Sequence, residues 1–262
     1  MSSSLLSSIS CEELSTLLKA TSSELRKRIS RDQLSSYRPY PKQAEFHAAG
    51  AQHRERLFMA GNQVGKTIAG GMEWAMHLTG RYPDWWQGKV FDKPTRMWAA
   101  GVTGEHTRDN PQRVLVGLPE QSEAWGTGTL PGDAMIETVL QRGGVSNALD
   151  NVTVRWGGGG DTQAGISSLA FKAYEKGREK WQGETLDGVW FDEEPPLDIY
   201  MEGLTRTNAT GGIAILTFTP LLGMSEVVML FLTEDQLKGL RREEAGAAAA
   251  APPDDGEEDE GA

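Results

Sequence analysis

The chain has 262 residues, enough for one well-packed core with a short accessory segment. Its 38% apolar and 24% charged residues are the balance of a globular chain, not of a disordered or fibrous one. The net charge of −11 is concentrated at one end: eight of the 37 acidic residues follow Arg242 with no basic residue among them, so 29 acids face 26 bases in 1–242, a net of −3. That excludes a bulk-basic nucleic-acid binder while leaving room for a local basic patch. The single cysteine, Cys11, excludes an intramolecular disulfide, and no apolar run reaches the length of a bilayer span.

Residues 1–9 are Ser-rich, read as disordered, and lack the basic start and apolar centre of a signal peptide. From Ser10 a helix is expected. Ser10 can cap it, Glu13 supplies the capping-box acid, and Leu14, Leu17, Leu18, Leu25 and Ile29 form an apolar stripe. Tyr37-Arg38-Pro39-Tyr40-Pro41 ends it, and Lys42 to Ala51 predicts a second short helix. Leu57 to Ala60 reads as a buried strand, followed by a glycine-bearing loop and a helix from Ile68 to Leu78. Residues 80–95 read as a loop carrying a Trp85-Trp86 pair, a candidate contact for DNA or a partner. Arg96 to Val102 predicts a strand, whose Trp98 belongs to the core, and about Glu105 to Leu115 a polar helix. Residues 117–150 are expected to be loops with one short helix near Met135–Gln141. Val152 to Trp156 and Ile166 to Tyr174 read as a hairpin of strands joined through Gly157 to Asp161. Gly188 to Asp192 and Gly212 to Thr219 read as buried strands, and Ser225 to Leu240 as a helix. Strands alternating with helices predict an α/β domain with a mainly parallel sheet. The divisions expected are a helical N-terminal segment at 1–37, the α/β domain at 38–240, and an acidic low-complexity tail at 241–262 outside the fold.

The chemistry starts at Ala60-Gly61-Asn62-Gln63-Val64-Gly65-Lys66-Thr67. Strand, glycine loop, Gly-Lys-Thr and helix is the order of a phosphate-binding P-loop. Backbone N–H groups of the loop and of the helix start converge on one point, and the helix dipole favours an anion there. Lys66 would reach the β/γ-phosphates and the Thr67 hydroxyl would ligate Mg²⁺. The common pattern places its first glycine at position 60, where this chain has Ala60 and shifts the glycine to Gly61. The apolar strand Val189-Trp190-Phe191 then delivers Asp192-Glu193-Glu194 at its C-terminal end, where ligands bind in open α/β sheets. Asp192 would hold the metal and Glu193 would activate the attacking water, with Glu194 as its rival. Gln43 stands upstream of the P-loop strand, where an amide can bond both a donor and an acceptor of adenine. Thr217 and Thr219, at the end of the next strand, could sense the γ-phosphate. The expected fold is an α/β P-loop NTPase domain of the RecA-like (ASCE) type, with a helical N-terminal segment. The histidines His47, His53, His77 and His106 show no metal spacing and are assigned no chemistry.

The segments PYPKQ (39–43), AGNQVGKT (60–67), AYEKGREKWQGETLDGVWFDEEPP (173–196) and ILTFTP (215–220) resemble the ATPase domain of phage terminase large subunits, the motors that package DNA into capsids. The resemblance covers roughly residues 38–232. It implies ATP and Mg²⁺ as ligands, Lys66 and Thr67 on phosphate and metal, Asp192 as metal acid, Glu193 as base, Gln43 on adenine, and Thr217 and Thr219 as the coupling motif. It also implies an arginine supplied across a homo-oligomeric ring, for which Arg108, Arg113, Arg142 and Arg178 are candidates. The implied partners are double-stranded DNA held by its backbone, the small terminase subunit and the portal of a procapsid, in the cytoplasm of an infected bacterium and with no membrane. Full-length members continue into a two-metal nuclease domain. The acids after Leu240 are sequential, so nuclease activity is expected to be absent from this polypeptide. Two rival readings are a helicase-like translocase, which needs a second RecA-like domain, and a truncated, non-catalytic terminase remnant that only binds a partner.

Overall fold

The computed structural model describes residues 10–61, 65–157, 164–219 and 225–233. The chain divides into two units, 1–222 and 223–262. The first opens with helix α1 (Cys11–Arg31), capped as its sequence demands: the Ser10 hydroxyl accepts from Glu13 N at 3.2 Å and the Glu13 carboxylate accepts from Ser10 N at 2.8 Å. Its stripe of Leu14, Leu17, Leu18, Leu25 and Ile29 is exposed. Helices α2 (Gln33–Ser36) and α3 (Pro41–Ala49) follow, the latter with Pro41 in its first turn, where the missing N–H costs nothing.

Strand β1 (Glu55–Met59) leads through the glycine loop to α4 (Lys66–Thr79), and a long loop leads to β2 (Arg96–Gly101). The expected polar helix comes in three pieces: α5 (Gly104–Thr107), a π-helical turn at Arg108–Gln112, and α6 (Arg113–Val116). Pro111 sits in the wide turn, where its lost donor and its ring would break a regular i to i−4 ladder. Next come β3 (Met135–Leu140), β4 (Leu149–Trp156), β5 (Gly165–Ala173), β6 (Gly188–Asp192), α7 (Leu197–Thr207) and β7 (Ile213–Phe218). The described part of the second unit holds α8 (Glu226–Met229), capped by the Ser225 hydroxyl; the helix expected to run to Leu240 ends there, with 230–232 in turn and bend, and 234–240 lie outside the described residues.

The seven strands form one sheet in the order β1-β7-β6-β2-β5-β4-β3. The first five are mutually parallel, and β4 and β3 extend the sheet antiparallel. The segment 135–140 is therefore a strand and not the helix expected from sequence. Ile136, Thr138 and Val139 are β-branched, and pairing with β4 (Thr138 opposite Val152) settles their conformation. The reading of sequence also passed over α7, which begins directly after Pro195-Pro196, a pair that reads as loop.

Strands β6 and β7 are buried along their whole length, as central parallel strands covered on both faces must be. Helix α4 lies close to β6, because a Cβ at Gly70 would stand 2.7 Å from the Trp190 ring. Trp98 is a core residue, as expected, and Trp190 is fully buried on the neighbouring strand of the sheet. Trp85 and Trp86 are half-buried, with ring contacts to Tyr37, His47, His77 and Tyr82, so much of their surface is already used in packing. Among the described residues no helix is long and apolar enough to cross a membrane.

Candidate active site

The parallel strands β1, β7 and β6 end together, and α4 starts at that edge. Gly65 caps α4 with φ +78°, a conformation that favours glycine, and a Cβ there would also meet the Gln43 amide at 2.8 Å. Lys66 is buried at the first turn and its Nζ donates to the Gly61 carbonyl at 2.6 Å. The ammonium is thus folded onto the loop that would cradle phosphate. The first N–H groups of this 14-residue helix have no partner within the helix itself, and such a helix start favours an anion. Asn62, Gln63 and Val64 lie outside the described residues.

Asp192 closes β6 opposite Thr217 of β7. Its Oδ1 accepts from the Thr217 hydroxyl at 2.8 Å and from the Thr67 hydroxyl at 3.1 Å, so the P-loop helix and two strands meet on one oxygen. Trp190 Nε1 donates to Thr217 Oγ1 at 2.8 Å and fixes that hydroxyl. Burial pushes the Asp192 carboxyl up to about 7; the Thr217 hydroxyl opposes this and the charge of Glu193 adds to it. Two hydroxyls contact this carboxylate, and among the described residues no cation pairs with it directly, although the Lys66 charge favours its ionised form. That donor set fits a hard divalent ion, which takes oxygen ligands.

Glu193 follows with φ +68°. Asn147, a residue type that tolerates this region, is the other non-glycine with positive φ among the described residues. For a glutamate the conformation costs about 1–2 kcal/mol, strain of the kind that collects at functional sites. Its N–H donates to the Thr217 carbonyl at 2.9 Å and its carboxylate accepts from Thr219 N at 3.4 Å. Glu194 is half-buried, with Oε1 unpartnered, and burial together with the Glu193 charge raises its pKa.

Gln43 is buried, and its amide is engaged on both sides. Nε2 donates to the Gly65 carbonyl at 2.9 Å, while Oε1 accepts from Tyr40 N at 2.9 Å and from the Tyr37 hydroxyl at 3.3 Å. It therefore clamps the end of the P-loop. Beside it opens a cleft of about 830 Å³ lined by Tyr37, Arg38, Tyr40, Gln43, Gly65 and Ile68. Of the arginine candidates, Arg178 pairs with Glu202 at 2.8 Å and Arg108 with Asp109 at 2.7 Å, while Arg113 and Arg142 are exposed.

One cluster escaped the reading of sequence. Glu73, fully buried on α4, binds Arg56 of β1 (Nη1 to Oε2, 3.1 Å), His47 of α3 (2.8 Å) and His77 one turn on (3.3 Å). Burial alone would raise its pKa, but the Arg56 guanidinium and the two imidazoles hold its carboxyl well below the usual range. His47 in turn meets the Tyr37 hydroxyl at 3.1 Å, which connects the cluster to Gln43. The i, i+4 spacing of Glu73 and His77 was visible in the sequence; the convergence of Arg56 and His47 on it was not.

Known proteins resemble the chain in family, sequence and fold. The family "Terminase large subunit, T4likevirus-type, N-terminal" matches residues 57–254. The chain is 45% identical over 211 residues to the terminase large subunit of Salmonella phage P22, covering 76% of this chain and 42% of that protein. It is 31% identical over 134 residues to the terminase large subunit of Enterobacteria phage LP7, covering 50% of this chain and 27% of that protein. The chain thus spans less than half the length of these relatives. Among solved structures, the large terminase ATPase domain of Thermus phage P74-26 matches with a TM-score of 0.52 at 18% identity, over 85% of this chain and 92% of that one, which shows a shared fold. The chain belongs to the terminase large subunit family and matches its N-terminal domain.

Proposed function

We propose that this chain is an ATP-hydrolysing motor subunit that drives double-stranded DNA into a viral capsid. The observation that carries the reading is the meeting of Thr67, Thr217 and a buried, cation-poor Asp192 beside a strained Glu193, all at the start of the P-loop helix. ATP is the substrate. Its phosphates would lie at the N-terminus of α4, with Lys66 exchanging the Gly61 carbonyl for a phosphate oxygen. Its adenine would enter the cleft beside Gln43, Tyr40 and Ile68. Thr67 and Asp192 would hold Mg²⁺, which when bound neutralises charge on the phosphate oxygens. Glu193 orients a water in line with the γ-phosphate and takes its proton. Thr217 and Thr219 contact both acids, so they can pass the loss of phosphate on to the segment after β7.

The assembly we propose is a homo-oligomeric ring in the host cytoplasm, with an arginine from a neighbouring subunit completing the site, and with the small terminase subunit, the portal and sequence-independent DNA backbone contacts as partners. The reading is confined to ATP hydrolysis and translocation and assigns no DNA cleavage to these residues. ATP turnover of wild type, Lys66→Ala and Glu193→Gln tests it. Glu193→Gln should lose roughly 10²–10⁴-fold in kcat while still binding nucleotide, and Lys66→Ala should weaken both. Equal rates in all three would overturn the assignment.

A further inference from the structure

Tyr174 lies outside the P-loop, the acid pair and the coupling strand, yet its hydroxyl reaches the point where three strand ends meet. It stands 2.8 Å from the Glu193 carbonyl, 3.3 Å from that of Asp192 and 3.5 Å from that of Ala100. A phenol has one proton to donate, and the shortest contact gives it to Glu193. The ring is placed independently of that bond. Tyr174 follows directly on β5, is 5% exposed, and packs against Trp181 and Phe191 with centroids 6.1 and 6.2 Å away. Trp181 and Phe191 are themselves stacked at 5.6 Å, so the hydroxyl projects from a fixed aromatic block.

Glu193, by contrast, needs holding. Its backbone is gripped on both sides of its positive φ: the N–H by the Thr217 carbonyl at 2.9 Å, the carbonyl by the Tyr174 hydroxyl. With both peptide groups pinned, the Cα–Cβ bond of Glu193 has a fixed direction, and from it the carboxylate reaches Thr219 N at 3.4 Å. Release of the carbonyl would let the residue fall back to an ordinary negative φ and carry its carboxylate away from that edge.

We propose that Tyr174 is a positioning residue for ATP hydrolysis, its hydroxyl holding Glu193 in the left-handed backbone conformation that aims the Glu193 carboxylate. This rests on the reading of Glu193 as the base. The test uses the full chain as wild type, Tyr174→Phe, Glu193→Gln and the double variant, measuring kcat and KM for ATP, ADP affinity and thermal unfolding. Phenylalanine keeps the ring and removes one oxygen. Tyr174→Phe should lower kcat roughly 10- to 100-fold, the range expected when a reacting group is misplaced by about 1 Å, with KM and ADP affinity little changed. The double variant should be no slower than Glu193→Gln, because Tyr174 acts through Glu193. A Tyr174→Phe chain with wild-type kcat, or one whose effect is undiminished in the Glu193→Gln background, overturns the proposal. Loss of ADP affinity or folding in step with turnover overturns it too, since that marks a structural role. Wild-type turnover by Glu193→Gln would instead overturn the reading of Glu193 as the base.

Discussion

Two buried carboxylates, about equally hidden from water, are in opposite states. Glu73 has a guanidinium and two imidazoles on its oxygens and sits well below the usual carboxylate range. Asp192 has two hydroxyls and is pushed up to about 7. Burial penalises both charges alike; the difference is what the fold supplies as compensation. At Glu73 it supplies a cation from a neighbouring strand, and the charge is complete without any ligand. At Asp192, among the described residues, it supplies two hydroxyls and no paired cation. The first acid ties α3, β1 and α4 into one body. The second is held at the edge of that body in a state that a divalent ion would correct.

The largest expected effect breaks the finished cluster. Arg56→Met should cost about 3–5 kcal/mol of folding stability, because it leaves Glu73 charged and uncompensated in the core. Denaturant unfolding measures it, and a loss under 1 kcal/mol would show that the histidines suffice. The pH dependence should also have opposite signs at the two acids. The lowered Glu73 pKa stabilises the fold above the ordinary glutamate range, a contribution lost as pH falls through its folded value. The raised Asp192 pKa works the other way: between pH 4 and 7 the folded chain holds a proton that the unfolded chain releases, so stability falls as pH rises through that window. Asp192→Asn should therefore stabilise the nucleotide-free, metal-free chain at pH 8 by on the order of 4 kcal/mol and by little at pH 4. Equal effects at both pH values would sink the account of Asp192 as cation-poor.

A smaller effect belongs to the clamp between these regions. Gln43→Ala removes the bond to the Gly65 carbonyl and unsettles the loop end. ADP affinity should weaken by about 1 kcal/mol, roughly fivefold. Tyr37→Phe, which removes a longer bond to the same amide, should do less. A reversed order would show that Tyr37, not Gln43, governs the cleft.

How much of this was legible in the sequence follows from what each feature needs. Strands β6 and β7 are continuous apolar runs, because central parallel strands are buried on both faces, so GVWFD and IAILTF could be read without knowing their neighbours. The P-loop was legible because strand, glycine and helix are contiguous in the chain. Strand β3 was not: it is a half-exposed edge whose state depends on β4. Helix α7 was masked by the prolines before it, although Ile199, Tyr200 and Gly203 are buried along it. Among site residues, the types and order of Lys66, Thr67, Asp192 and Glu193 were visible. That Gln43 would bond a P-loop carbonyl was not, since it depends on a contact 22 residues away. The strain at Glu193 was hidden for the same reason: nothing in Asp-Glu-Glu signals a positive φ, which arises where β7 and Tyr174 grip one residue from two sides.

That strain yields the smallest prediction and the one most particular to the site. At an ordinary position glycine is less stable than alanine by about 0.5–1 kcal/mol, because it has more backbone freedom to lose. At position 193 the order should invert. Alanine keeps the steric penalty of φ +68° that glycine escapes, so Glu193→Gly should unfold at higher denaturant than Glu193→Ala, by about 0.5–1 kcal/mol net. The inversion should also depend on Tyr174. In a Tyr174→Phe background the alanine variant is free to relax to negative φ, and the ordinary order, alanine above glycine, should return. If glycine stays ahead with the hydroxyl gone, the left-handed turn is enforced by β7 alone, through the Thr217 carbonyl. If alanine is ahead in both backgrounds, residue 193 carries no strain, and the contrast between a finished acid and a poised pair rests on Asp192 alone.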